Sequence, residues 1–187
     1  MPRLKTPYYL IDETRLKKNL EIIQQIREES GAKSVLALKC FSTWCVFDLM
    51  SQYMDGTTSS SLFEARLGYE KFGKEVHAYS VVYSAEEVEE VAKFANKIIF
   101  NSVSQLKLFH AAAHGLKVGL RVNPGISYSH FDLADPARRY SRLGVCRTYQ
   151  FRNKWLPNLR FKNVKTFLNS LVPSGRICCY NRLILFK

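Results

Sequence analysis

Acidic residues run out well before the chain does. Residues 146–187 hold nine Lys+Arg and no Asp or Glu, a net of +9, whereas residues 1–145 hold 19 Lys+Arg against all 16 Asp+Glu, a net of +3. Most of the formal charge of +12 therefore belongs to the tail, and the larger part of the chain has no nucleic-acid signature. Cysteine is also sparse. The five present include no CxxC pair, and Cys178 and Cys179 are adjacent, so neither a disulfide framework nor a zinc site is signalled. No apolar run approaches the ~20 residues of a membrane span, and the charged start, Met1 to Lys5, is not followed by the apolar stretch of a signal peptide. The expectation is a soluble cytoplasmic protein with reduced thiols, no metal, and neither nucleic acid nor membrane as partner.

What remains is ample for a core: 187 residues, 47% of them hydrophobic, suit one domain or a domain with an appendage. Cys146, Cys178 and Cys179 share the acid-free segment. Composition thus sets a boundary near Val145, with a domain over 1–145 and a basic tail of unrelated character over 146–187.

Along the first part, capped helices alternate with short apolar strands. Asp12 can cap a helix carrying Leu16, Leu20, Ile23 and Ile26 on one face, and Gly31 stops it. Val35 to Lys39 reads as a buried strand, the region around Phe47, Met50 and Met54 as helix, and Gly56–Ser59 as a strand end or turn. Ser61 with Glu64, and Ser84 with Glu87, have capping-box spacing. Val76–Val82, Ile98–Phe100 and Val118–Val122 read as strands, and Ser102 or Ser104 opens a helix that Gly115 ends. Asn123-Pro124-Gly125 is turn chemistry. A strand–helix unit recurs about every twenty residues, which implies a parallel sheet. Two architectures fit: a five-stranded doubly wound sheet, or the first five units of a (β/α)₈ barrel, whose usual length is ~250 residues. Beyond Cys146 the rhythm stops.

The strand Val35-Leu36-Ala37-Leu38 ends in Lys39. Such a lysine either snorkels, stem in the core and ammonium in water, or serves as a Schiff-base lysine at the carboxyl end of a barrel strand, where loops converge on a ligand. Cys40 beside it is expected to pack, and Ser61 to act as a cap.

Ordered motifs carry a resemblance. Thr6–Asp12, Ala37-Leu38-Lys39, Arg121-Val122-Asn123-Pro124 and Ser141-Arg142-Leu143-Gly144 resemble the N-terminal half of pyridoxal-phosphate decarboxylases of the alanine-racemase fold type. The longer stretches Leu36–Trp44, Asp55–Glu64 and Asn123–Pro136 are similar to the carboxynorspermidine (carboxyspermidine) decarboxylases rather than to the diaminopimelate and ornithine enzymes. The resemblance covers about residues 3–145. It implies a partial (β/α)₈ barrel, a cytoplasmic lyase of polyamine (spermidine) biosynthesis, pyridoxal 5'-phosphate as cofactor, a polyamine amino acid as substrate, and a homodimer. By position it implies that Lys39 is catalytic and binds the cofactor, with its amine kept deprotonated by burial, and that Arg121 lies near the cofactor ring; pairing of Arg121 with Asp132 or Asp135 is the alternative. Thr58 stands where related enzymes often carry an aspartate. His130 and Asp132 are either substrate contacts or local hydrogen-bonding groups.

The resemblance also implies features beyond residue 145 that the tail lacks: a ring-stacking histidine, a glycine-rich phosphate loop, an acidic partner for the pyridine nitrogen and a C-terminal β-domain. The expectation is a truncated or frameshifted chain. Its activity stays open beside a non-catalytic or partner-binding remnant.

Overall fold

In the computed structural model the described residues are 5–123, 125, 131, 135–138, 140–146 and 183–185. Five helices and seven strands follow in order: α1 (Glu13–Ser30), β1 (Val35–Ala37), a 3-10 turn (Trp44–Val46), α2 (Phe47–Tyr53), β2 (Gly56–Ser59), α3 (Leu62–Leu67), β3 (Glu75–Tyr79), α4 (Ala85–Ala92), β4 (Lys97–Phe100), α5 (Val103–Phe109), β5 (Lys117–Asn123), β6 (Val145–Cys146) and β7 (Leu183–Leu185). Gly68–Phe72 extends α3 as a π-turn.

The helix starts obey their capping chemistry. The Asp12 carboxylate accepts from Arg15 N–H, and Ser61, Ser84 and Ser102 hydroxyls accept from Glu64, Glu87 and Gln105 N–H. Ser84 and Glu87 form the full reciprocal box. At Ser61 only half of the box closes as spaced, because Glu64 accepts from Ser60 N–H rather than from the cap residue. Gly31 and Gly73 end their helices with φ of 67° and 70°.

Strands β1 to β6 are parallel neighbours in sequence order. That order decides between the two architectures. A doubly wound sheet reverses its strand order at a switch point, whereas a barrel adds each new strand on the same side of the last. The described sheet is a partial barrel wall, and the five-stranded doubly wound alternative is set aside. The outer edge of β5 is shared: Val122 and Asn123 pair with β6, and Gly119–Arg121 pair antiparallel with β7.

Side chains alternate across the sheet. One face carries Val76, Ala78, Ile98, Phe100 and Leu120, packed with Val88 and Val91 of α4 and with Leu106 and Phe109 of α5. Leu36 and Leu38 join Leu20, Phe47, Met50, Met54 and Phe72 in a second cluster under α1 and α2. The opposite face holds the alternate residues, and it carries the polar chemistry. Ile26 departs from the expected α1 face; at 57% exposure it looks outward, and Arg27 turns inward instead.

Candidate functional site

Lys39 sits where the first strand lets go of the sheet. Leu38 N–H still pairs with Thr58 O at 3.0 Å, and then the N–H groups of Cys40 and Phe41 both turn back to Ala37 O, at 3.0 and 3.2 Å. The Ser42 hydroxyl donates to Leu38 O and pins the turn. With Leu38 taken into the core, Lys39 is left exposed at the carboxyl end of β1. The expected burial of this lysine is therefore corrected: the turn ends the pleat and lifts it out. Cys40 is corrected for the same reason, since its thiol is exposed rather than packed.

Arg121 lies near the carboxyl end of β5, half-buried, with its Cζ 4.8 Å from the centre of the Tyr79 ring. Its Nε is buried and has no hydrogen-bond partner among the described residues. The alternative pairing with Asp135 is not adopted: that carboxylate accepts from Ala137 N–H at 2.8 Å, and no ion pair joins it to Arg121 among the described residues. Asp132 and His130 lie outside the described residues. Thr58 is half-buried in β2, where its carbonyl serves the β1 pairing. Ser61 is a helix cap, as its spacing indicates.

Sequence reasoning passed over Tyr79 and Asn101. The Tyr79 hydroxyl donates to Asn101 Oδ1 at 2.8 Å, and Gly144 N–H reaches the same oxygen at 2.7 Å. Burial pushes the Tyr79 phenol above its ordinary value, with Arg121 and Arg142 acting the other way. The signal available was positional only: Tyr79 and Arg121 both follow the strand alternation, onto the face opposite Ala78 and Leu120.

A second polar group occupies the other end of the strands. Glu75, first in β3, accepts from Lys33 at 2.7 Å, from Lys97 at 2.8 Å and meets His77 Nε2 at 3.0 Å. These bonds hold its carboxyl far below the usual carboxylate range. His77 is pushed below its ordinary value mainly by burial, with Lys97 adding to the effect and Glu75 opposing it. Charge at the amino ends of barrel strands goes with stability rather than catalysis. Among the described residues no group of three or more His, Cys, Asp or Glu is gathered to hold a metal ion. No described helix is long and apolar enough to cross a membrane.

The carboxyl end thus brings an exposed lysine amine and an arginine with an unmet donor to one end of a barrel wall. The chain is 61% identical over 141 residues to a carboxynorspermidine/carboxyspermidine decarboxylase of Herminiimonas arsenicoxydans. Over that stretch the chain resembles the carboxynorspermidine/carboxyspermidine decarboxylases. The match takes in 75% of this chain and 39% of that relative. A Campylobacter jejuni protein of the same description is 37% identical over 151 residues, covering 81% of this chain and again 39% of its own length. The chain therefore spans about two fifths of the relatives it matches. The crystal structure of carboxynorspermidine decarboxylase from Campylobacter jejuni complexed with norspermidine superposes with a TM-score of 0.72 at 35% identity, covering 82% of this chain and 39% of that one. Diaminopimelate decarboxylase from Helicobacter pylori complexed with L-lysine shares the fold, at a TM-score of 0.63 and 22% identity, over 79% of this chain and 39% of that one. No protein-family model matches the chain.

Proposed function

We propose that this chain carries part of the active site of a pyridoxal-phosphate-dependent decarboxylase acting on carboxynorspermidine or carboxyspermidine, in polyamine biosynthesis. One observation supports it above the others: Lys39 and Arg121, the two residues whose positions match the family motifs, stand at the carboxyl ends of β1 and β5, where barrel enzymes gather their chemistry. The donor set suits the cofactor. An exposed primary amine could condense with its aldehyde carbon with loss of water, and the buried Nε of Arg121, unpartnered among the described residues, is a donor in need of an oxygen acceptor.

When bound, the cofactor supplies the electron sink that takes up the pair left behind by departing CO₂. Lys39 Nζ is the group that would hold the cofactor. The turn bonded to Ala37 O and Leu38 O fixes where that amine stands. Arg121 sets a permanent positive charge and a directed N–H beside the reacting centre, complementing negative charge there. The reading places the site in a barrel domain over residues 1–145, leaves 146–187 as a separate basic tail, and carries with it a cytoplasmic homodimer.

The test is a titration of the purified full chain with pyridoxal phosphate, read by the absorbance of the covalently held cofactor and by peptide mapping after borohydride reduction. Saturable uptake mapped to Lys39 and abolished by Lys39→Ala is expected. Equal uptake by parent and variant, spread over surface lysines, would sink the proposal and leave a non-catalytic remnant.

A further inference from the structure

Arg121 does not hold its own position. Its guanidinium lies over the Tyr79 ring, 4.8 Å from the ring centre. Gly144 stands against its stem: at a φ of 81°, a Cβ there would come within 3.1 Å of Arg121 Cγ and 3.0 Å of Arg121 O. Both walls are tied to one side chain. Asn101, buried just beyond β4, takes the Tyr79 hydroxyl and the Gly144 N–H on Oδ1, at 2.8 and 2.7 Å, and gives Nδ2 to Arg142 O at 2.8 Å. Gln105 Oε1 accepts from Asn101 N–H at 3.3 Å and anchors it to α5.

A guanidinium stacked on an aromatic face keeps its edge free for directed hydrogen bonds. Here that edge includes the buried Nε, which has no partner among the described residues. A buried donor left unmet is costly, so a frame that keeps it unmet is explained if an acceptor arrives from outside.

We propose that Tyr79 and Asn101 are positioning residues that fix the Arg121 guanidinium, so that its Nε–H is aimed at an oxygen acceptor of the cofactor bound at Lys39. This rests on the function proposed above. Tyr79 acts chiefly through its ring face, with its hydroxyl as a lesser tie to Arg121 and Asn101, and Asn101 acts by holding both that hydroxyl and the Gly144 backbone.

The test uses the full chain as parent, Tyr79→Phe, Tyr79→Leu and Asn101→Ala, with two readouts. The first is affinity for pyridoxal phosphate at Lys39. The second, made without cofactor, is the NMR resonance of Arg121 Nε–H, assigned by its loss in Arg121→Lys. Tyr79→Phe keeps the stacking face but loses the hydroxyl's bond to Asn101 and should weaken affinity about threefold, whereas Tyr79→Leu and Asn101→Ala should weaken it about tenfold. The Nε–H signal should carry the ring-current shift of a stacked aromatic in the parent and in Tyr79→Phe, lose it in the other two, and move again when pyridoxal phosphate is added to the parent. If Tyr79→Leu does not fold, Tyr79→Met fills the space without a π face and carries the same expectation. Parent-like affinity and an unchanged Nε–H signal in Tyr79→Leu and Asn101→Ala would overturn the positioning role while leaving Lys39 uptake intact. No uptake at Lys39 in the parent would overturn the function reading itself, and with it the target assigned to this pair.

Discussion

At Gly56 the sheet has no room for a side chain. A Cβ there would meet the backbone oxygen of Glu75 at 2.1 Å, and a strand backbone cannot give way as a flexible side-chain tip can. Gly56→Ala should therefore cost about 3 kcal/mol in denaturant unfolding, and a loss under about 0.5 kcal/mol would show that β2 shifts freely. Arg27 and Asp55 show the same dependence on single groups. Arg27 Nε donates to Asp55 Oδ2 at 2.8 Å, its second nitrogen reaches Oδ1 at 2.5 Å, and Ser34 N–H adds a third bond at 2.7 Å. Burial works against the charge on Asp55, but these donors prevail and hold its carboxyl below the ordinary value. That pair binds α1 to the start of β2, the Ser34 bond adds the start of β1, and together they explain why Arg27 rather than Ile26 faces inward.

Among the elements, α4 has the most complete start signal. Ser84 Oγ accepts from Glu87 N–H at 3.1 Å, and Glu87 Oε2 accepts from Ser84 N–H at 2.9 Å, while Val88 and Val91 are fully buried. Ser84→Ala should lower stability by about 1 kcal/mol, measured as a shift in the urea midpoint with an unchanged slope. An unchanged midpoint would mean that packing alone fixes the helix start. β2 is the opposite case. Gly56, Thr57, Thr58 and Ser59 offer no apolar alternation, so in the sequence they read as a strand end or turn. They form a full parallel strand between β1 and β3 because both neighbours satisfy their backbone groups and α3 packs closely over them.

At the scale of the whole described sheet, charge divides by the ends of the strands. The amino end carries Glu75 with Lys33, Lys97 and His77, and the carboxyl end carries Lys39 and Arg121. The first group makes stability depend on pH in a defined direction. His77 is held below its ordinary 6.5, so the unfolded chain binds its proton first and stability falls as pH drops below 6.5. Glu75 is held below its ordinary 4.5, so a further loss sets in as pH drops below that value. Urea midpoints measured from about pH 8 down to about pH 2.5 should show both limbs, and His77→Gln should flatten the upper one while the lower, set mainly by Lys33 and Lys97, persists in reduced form. An unchanged upper limb in His77→Gln would rule out His77 as its source. The sequence by itself determined the helix starts, the strand–helix alternation and the position of Lys39 at a strand end, because caps, periodicity and turn residues act over a few neighbours. Only the tertiary structure decided that the strands run in barrel order, that Lys39 and Cys40 are exposed, and that Tyr79 and Asn101 frame Arg121. Those facts depend on which strands lie side by side and on contacts between residues as far apart as Tyr79, Asn101, Arg121 and Gly144, and no local pattern encodes such pairings.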